Sequence, residues 1–157
     1  MVTKESPTPD TYHVAMKAFV RKGGEVLILT EAQDVGKADL PGGRIAIGEF
    51  DVPFDEILER ELREELGADF RYRSNGPVAI FRHRRPEIAA LGEPEARIVM
   101  IGFEVEYLGG EIRLSDEHAE CQWVPLADAP AMLPSGQADG MRKYLAYLDD
   151  PAKRLRY

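Results

Sequence analysis

One segment constrains the fold of this 157-residue chain more than any other: residues 53–67 carry a helix start signal, an apolar stripe and a stop signal. Pro53 suits the first position of a helix, and Gly67 suits the position just past its end. The apolar stripe consists of three leucines spaced four residues apart, Leu58, Leu62 and Leu66. This pattern predicts an amphipathic helix from about Pro53 to Leu66 that packs against a core.

The segments around this helix have the pattern of strands and turns. Residues 12–20, 26–29, 78–81, 97–107, 112–114 and 122–124 are the predicted strands. Gly23-Gly24 predicts a hairpin between the first two, and the polar residues 31–40 predict a loop. Residues 140–148 have the pattern of a C-terminal amphipathic helix. The order predicts an α+β fold or a layered α/β/α sandwich.

Length and composition limit the domain organisation. We expect a loose leader over residues 1–10 and a single domain over residues 11–157. The 44% apolar and 31% charged content is that of a globular protein. No apolar run approaches the roughly 20 residues that span a bilayer, and the N-terminus has no signal-peptide pattern. The single cysteine, Cys121, fits a reducing cytosol, so we expect a cytoplasmic protein without a membrane partner.

The net charge of −8 limits the partners. Non-specific binding to nucleic acid depends on Lys and Arg that neutralise phosphates, so no nucleic-acid partner is expected. A small phosphorylated substrate stays compatible with an acidic site, because divalent cations can lie between protein carboxylates and phosphates. The sequence is also compatible with a homodimer.

Three carboxylates converge on one side of the predicted helix. At about 100° per residue, Glu61, Glu64 and Glu65 fall within about 100° of one another, beside the apolar stripe. A solvated acidic face is one interpretation. The other is a cation site, because a bound divalent ion converts the mutual repulsion of the carboxylates into coordination.

The sequence around this helix resembles the Nudix box. Gly43 and Glu49 have the spacing of its first half, and Arg60-Glu61-Leu62-Arg63-Glu64-Glu65-Leu66-Gly67 matches the fixed positions of its second half. Ten residues rather than seven separate Glu49 from Arg60, and we assign the extra three, Phe50-Asp51-Val52, to the loop before the helix. The resemblance extends over about residues 12–125, and implies an α/β/α sandwich with a mixed sheet.

The resemblance also implies roles for individual residues. Glu61, Glu64 and Glu65 would be metal carboxylates, with the Gly43 carbonyl as a further ligand and Mg²⁺ (or Mn²⁺) as the cofactor. Glu117 would be another metal or base glutamate, although an acidic surface turn is the alternative for it. The candidate catalytic residues are Glu64, Glu61, Glu117 and Arg60. Arg60 would orient the glutamates, and Glu49 would support the site.

The substrate is less constrained. The basic residues Arg82 and Arg84 follow a predicted strand, and together with Arg44 they are candidate substrate-binding residues. A solvated loop is the alternative for Arg82 and Arg84. The resemblance implies metal-dependent hydrolysis of a diphosphate linkage in a nucleoside triphosphate or another nucleoside diphosphate derivative. A Nudix-fold glycosyl hydrolase of the GDP-mannose type, an isoprenoid-diphosphate isomerase and a non-catalytic ligand-binding domain stay open.

Overall fold

The computed structural model describes residues 6–34 and 36–155. Its strands are β1 (His13–Lys22), β2 (Glu25–Glu31), β3 (Ala38–Asp39), β4 (Gly42–Arg44), β5 (Arg71–Arg85), β6 (Ala96–Gly109) and β7 (His118–Pro125). The α-helices are α1 (Phe54–Leu66), α2 (Ala129–Met132) and α3 (Ser135–Asp149). Short 3₁₀ helices span Ala89–Leu91 and Pro151–Lys153.

The strands form one mixed sheet. Its order is β3-β2-β1-β6-β5, with β4 paired to β1 and β7 paired to β2. The central pair, β1 and β6, is parallel, and the other pairs are antiparallel. The predicted mixed sheet is confirmed.

A hydrophobic core lies on each face of the sheet, because alternate residues of a strand point to opposite faces. On β1, Phe19 belongs to the core under α3, where its ring stacks on Tyr144 at 4.5 Å between centroids. Its neighbour Val20 belongs to the core under α1, with Leu58 and Leu62. Helices therefore cover both faces, and the predicted α/β/α sandwich is confirmed.

Some boundaries differ from the predictions. The strand predicted at 78–81 is the centre of the much longer β5, the C-terminal helix begins before residue 140, and the predicted loop 31–40 contains β3. The strand predicted at 112–114 is wrong. There, the backbone amide of Arg113 donates to the carbonyl of Leu66 (2.9 Å), and that of Ser115 donates to the carbonyl of Glu65 (3.3 Å). This segment therefore satisfies carbonyls that the end of α1 leaves unpaired.

The predicted leader falls partly outside the described residues, since the structure describes only residues 6–10 of it, and these have no regular secondary structure. Among the described residues, no helix is long and apolar enough to span a membrane.

Candidate metal and substrate site

A cavity of about 560 Å³ lies where β3, β4, the C-terminal half of α1 and the start of β7 come together. One part of its wall is acidic and is formed by Glu61, Glu65 and Glu117. Another part is apolar and is formed by Ala15, Ile88, Leu91, Ile98 and Met100. Basic side chains also line the cavity, among them Arg44 and Arg85.

The acidic wall depends on a close approach between β4 and α1. The backbone amide of Gly42 donates to Oε2 of Glu65 (2.7 Å). A Cβ atom at Gly43 would lie 2.4 Å from the carboxylate carbon of Glu61, so any other residue there would displace this carboxylate. The side chains of Glu61 and Glu65 are 13% and 6% exposed, so both carboxylates are largely withdrawn from solvent beside β4.

Arg60 links three of the predicted glutamates. Its Nε and Nη2 donate to the two carboxylate oxygens of Glu49, at 2.6 and 3.0 Å. Its Nη1 lies 2.9 Å from Glu61 Oε1 and 3.2 Å from Glu64 Oε2. The hydrogen bonds from Arg60 hold the pKa of Glu49 below its usual value. These contacts are those expected of an arginine that orients the glutamates.

Residues 50–52, to which the extra residues are assigned from the sequence, lie in the turn that precedes α1. The backbone amide of Val52 donates to the carbonyl of Glu49 (3.1 Å), while the Phe50 side chain is exposed. The turn thus lets Glu49 reach Arg60 across eleven positions of sequence.

Glu64 differs from the other two helix glutamates. Its side chain is 59% exposed and is directed to Arg60, and Glu64 is not among the residues that line the cavity. The structure therefore brings Glu61 and Glu65 together at the cavity, whereas Glu64 is not part of the lining and is connected to Glu61 through Arg60.

Glu117 and its neighbour His118 complete the acidic wall. Glu117 is exposed to the cavity, whereas His118 is buried. Glu65, Glu117 and His118 each offer one ligand atom, and these atoms lie within 4.8 Å of one another. Asp39 beside His118 raises the pKa of the imidazole, although burial opposes this effect. Sequence reasoning did not place His118 at the site, because the three histidines are widely separated in the sequence.

A buried ion pair, Lys17 with Asp39, lies next to this wall and also lines the cavity. Lys17 Nζ donates to Oδ1 of Asp39 (2.9 Å) and to the carbonyls of Leu40 (2.8 Å) and Gly42 (2.9 Å). Gln137 of α3 donates to the same Asp39 oxygen (2.7 Å). Sequence reasoning missed this network as well. The signal that could have found Lys17 is a lysine in the middle of an otherwise apolar strand.

The basic stretch of β5 divides between two faces. His83 and Arg85 line the cavity, whereas Arg82 and Arg84 are exposed and are not among its lining residues. The alternation of a strand explains this, because Phe81, His83 and Arg85 share the face that carries α3. Of the three predicted substrate-binding arginines, the structure places only Arg44 at the cavity.

The protonation of the buried carboxylates is tuned by their surroundings. Burial raises the pKa of Glu65 to about 7, although Lys17 and the Gly42 amide act in the opposite direction. Burial also raises the pKa of Glu61. Two carboxylates with raised pKa values, those of Glu61 and Glu65, lie close to Glu117 and to the backbone carbonyl of Gly43. This donor set suits a divalent cation, because the cation favours the charged forms of the carboxylates.

Comparison with known proteins identifies the family. A family model described as NUDIX domain matches residues 11–148. A putative 8-oxo-dGTP diphosphatase 2 of Mycobacterium tuberculosis is 36% identical over 118 residues, which cover 73% of this chain and 74% of that protein. An NAD-capped RNA hydrolase NudC of Stutzerimonas stutzeri is 30% identical over 136 residues, but the chain spans only 43% of the length of that protein.

The fold is also similar to that of a solved structure. The crystal structure of a MutT protein from Methanosarcina mazei Go1 matches with a TM-score of 0.73 and 24% identity, over 92% of this chain and 100% of that one. At this identity the likeness concerns the fold. The family match over residues 11–148 shows that the chain belongs to the Nudix family.

Proposed function

We propose that this chain hydrolyses a diphosphate linkage in a nucleoside triphosphate or another nucleoside diphosphate derivative, with Mg²⁺ or Mn²⁺ as cofactor. The observation that carries the proposal is the shared cavity, in which buried carboxylates and an apolar wall lie within about 560 Å³. A nucleotide has two parts that match this cavity: anionic phosphates, which a cation held by the carboxylates would bind, and a base with apolar faces, which the apolar wall would contact. The relatives named for 8-oxo-dGTP and for NAD-capped RNA support this substrate class.

The acidic wall would hold the cation. Glu61, Glu65 and Glu117 would be its carboxylate ligands, with the carbonyl of Gly43 as a further donor. When bound, the cation neutralises phosphate charge and lowers the pKa of a coordinated water. The Gly42 amide fixes one oxygen of Glu65 and so leaves the other available to the cation.

Arg60 and Glu49 would act on the geometry of this wall. Arg60 holds Glu61 in place at 2.9 Å and is itself held by two hydrogen bonds to Glu49. Arg60 therefore presents a fixed donor to Glu61, which reduces the freedom of that carboxylate before substrate binds. Glu64, which shares Arg60 and has an exposed side chain, would accept the proton of the attacking water.

Substrate would be bound by cations and apolar side chains of the cavity. Arg44 lies next to Gly43 in sequence and lines the cavity, so it can donate to phosphate oxygens near the carboxylates. Arg85 and Lys37 line the cavity as well. Ile98 and Met100 would contact a face of the base. No aromatic ring other than the His83 and His118 imidazoles is among the described residues that line it, so we expect base recognition without stacking on Phe, Tyr or Trp.

A hydrolysis panel tests the proposal. Purified protein is incubated with nucleoside triphosphates (oxidised ones included), nucleotide sugars, ADP-ribose and dinucleoside polyphosphates, with Mg²⁺, with Mn²⁺ or with chelator. Products are separated by chromatography, which identifies the phosphorus attacked. We expect metal-dependent turnover of at least one nucleotide. Turnover of a GDP-mannose-type sugar at its glycosidic bond, or binding of nucleotides without turnover, would contradict the proposal.

A further inference from the structure

One side chain at the acidic wall has chemistry that the proposed hydrolysis does not use. His118 lies against the carboxylates of Asp39 and Glu65, and its side chain is only 4% exposed. Its Nε2 is 3.8 Å from Asp39 Oδ2 and 4.0 Å from Glu65 Oε1, both beyond hydrogen-bonding distance. Its Nδ1 is buried without a hydrogen-bond partner among the described residues. Buried polar atoms are normally paired, and neither ring nitrogen of His118 has a hydrogen-bond partner among the described residues. The imidazole can therefore bind a ligand through Nε2, the nitrogen that lies near the carboxylates.

The neighbouring carboxylates are arranged to share such a ligand with His118. Oε2 of Glu65 is occupied by the Gly42 amide, and Oε1 is the oxygen that faces the imidazole. Ligand atoms of Glu65, Glu117 and His118 lie within 4.8 Å of one another. Three atoms equally spaced around one ion at about 2.2 Å are about 3.8 Å apart, so movements of up to about 0.6 Å per atom allow all three to reach the same ion.

We propose that His118 is a direct ligand of a divalent cation held with Glu65 and Glu117, so that this site has one nitrogen donor and binds Mn²⁺ in preference to Mg²⁺. The inference deepens the proposed function, since it concerns the metal centre of the same cavity. Its physical basis is donor chemistry. Carboxylate oxygen suits both ions, whereas imidazole nitrogen favours the transition metal, and Mg²⁺ retains oxygen ligands.

The test measures bonding rather than turnover. Full-length protein is loaded with Mn²⁺ alone, without substrate, and is examined by pulsed electron paramagnetic resonance. A directly coordinated imidazole couples the manganese spin to ¹⁴N. We expect this coupling in the wild type, its replacement by ¹⁵N coupling after labelling of histidine, and its loss in His118→Gln.

The other two histidines are matched controls. His13→Gln changes an exposed residue outside the cavity, and His83→Gln changes a histidine elsewhere in the cavity wall. Both should retain the nitrogen coupling. The Mn²⁺ dissociation constant, measured from the free-ion signal, should rise about 10-fold or more in His118→Gln, with a smaller change for Mg²⁺ measured by competition.

The wild-type spectrum decides the matter even where a variant folds poorly. Bound Mn²⁺ without directly coordinated nitrogen would overturn the inference and would make His118 a cation that only neutralises Asp39 and Glu65. Loss of the coupling in His83→Gln would overturn it as well. Neither result would affect the proposed function, because Mg²⁺-dependent hydrolysis by an all-oxygen site would still be observed in the substrate panel.

Discussion

Replacing Lys17 by methionine should destabilise the fold more than any change on the surface. Its ammonium group donates to both carboxylate oxygens of Asp39, at 2.9 and 3.1 Å, and to the carbonyls of Leu40 and Gly42. The side chains of the pair are 7% and 13% exposed, so water can replace few of the hydrogen bonds that the substitution removes. Breaking a buried ion pair by removing one partner costs about 3–5 kcal/mol, and this range includes the charge left without compensation. We therefore expect a loss of about 4 kcal/mol in the free energy of unfolding.

Urea unfolding in the presence of chelator measures this loss without a contribution from bound metal. The corresponding decrease in Tm is about 8–16 °C for a domain of this size. The double variant Lys17→Met/Asp39→Asn is the control, because it removes the uncompensated charge as well. It should be destabilised by about 1.5–3 kcal/mol less than the sum of the single variants. A loss below about 1 kcal/mol for Lys17→Met, or additive effects in the double variant, would refute the reasoning.

The same pair predicts how stability depends on pH. Burial alone would raise the pKa of Asp39, but Lys17 and His118 lower it below its ordinary 3.8. Burial alone would lower the pKa of Lys17, but Asp39 and Glu65 raise it above its ordinary 10.5. The contribution of Asp39 is therefore present above about pH 4 and is lost as the pH falls further, and that of Lys17 is present below about pH 10 and is lost above it. The stability difference between wild type and Lys17→Met should shrink toward about pH 3, where Asp39 is protonated in the variant.

Two further substitutions test the close approach of β4 to α1 and a hydrogen bond in the core. Gly43→Ala places a Cβ 2.4 Å from the Glu61 carboxylate and should lower kcat/KM about 100-fold by displacing this carboxylate. The control Gly24→Ala, with no atom within 4 Å of its Cβ, should change kcat/KM less than about 2-fold. Equal rates of the two variants in a steady-state assay would contradict this prediction. Tyr144→Phe removes the hydroxyl that donates to buried Glu104 (2.7 Å) and should lower the free energy of unfolding by about 1–3 kcal/mol, measured in urea; an unchanged midpoint would mean that this hydrogen bond contributes nothing.

The convergence of residues on α1 could be predicted from the sequence because it is local. Glu61 and Glu65 are separated by one helical turn, so their convergence follows from helix geometry alone. The same holds for Arg60 and Glu64, which lie four positions apart and are in contact. The expected order of strands, and hence the layered fold, depended on periodicity that each strand carries by itself.

Contacts between distant segments could not be predicted in the same way. Gln137 and Asp39 meet across 98 positions of sequence, and Lys17 and Asp39 across 22. Nothing in the local pattern specifies such pairs, because they depend on the register of the sheet and on where α3 begins.

The β5 arginines illustrate how sensitive a strand is to register. A shift of one residue changes the face, so the basic stretch could be recognised while Arg82 and Arg84 could not be distinguished from His83 and Arg85. The cytoplasmic location and the homodimer stay predictions.

The assignment of the cation to the acidic wall is tested most directly by comparing Glu65→Gln with Glu56→Gln in metal-dependent hydrolysis. Both changes remove one carboxylate charge from α1, but Glu65 is 4% exposed at the cavity wall and Glu56 is exposed to solvent on another side of the helix. The amide oxygen of the substituted side chain can still accept from the Gly42 amide, so the fold should persist. We expect kcat/KM to fall at least about 100-fold in Glu65→Gln, with Tm within a few degrees of wild type, and to change less than about 2-fold in Glu56→Gln. Wild-type hydrolysis that persists in chelator, or a Glu65→Gln variant that keeps its rate, would contradict the assignment.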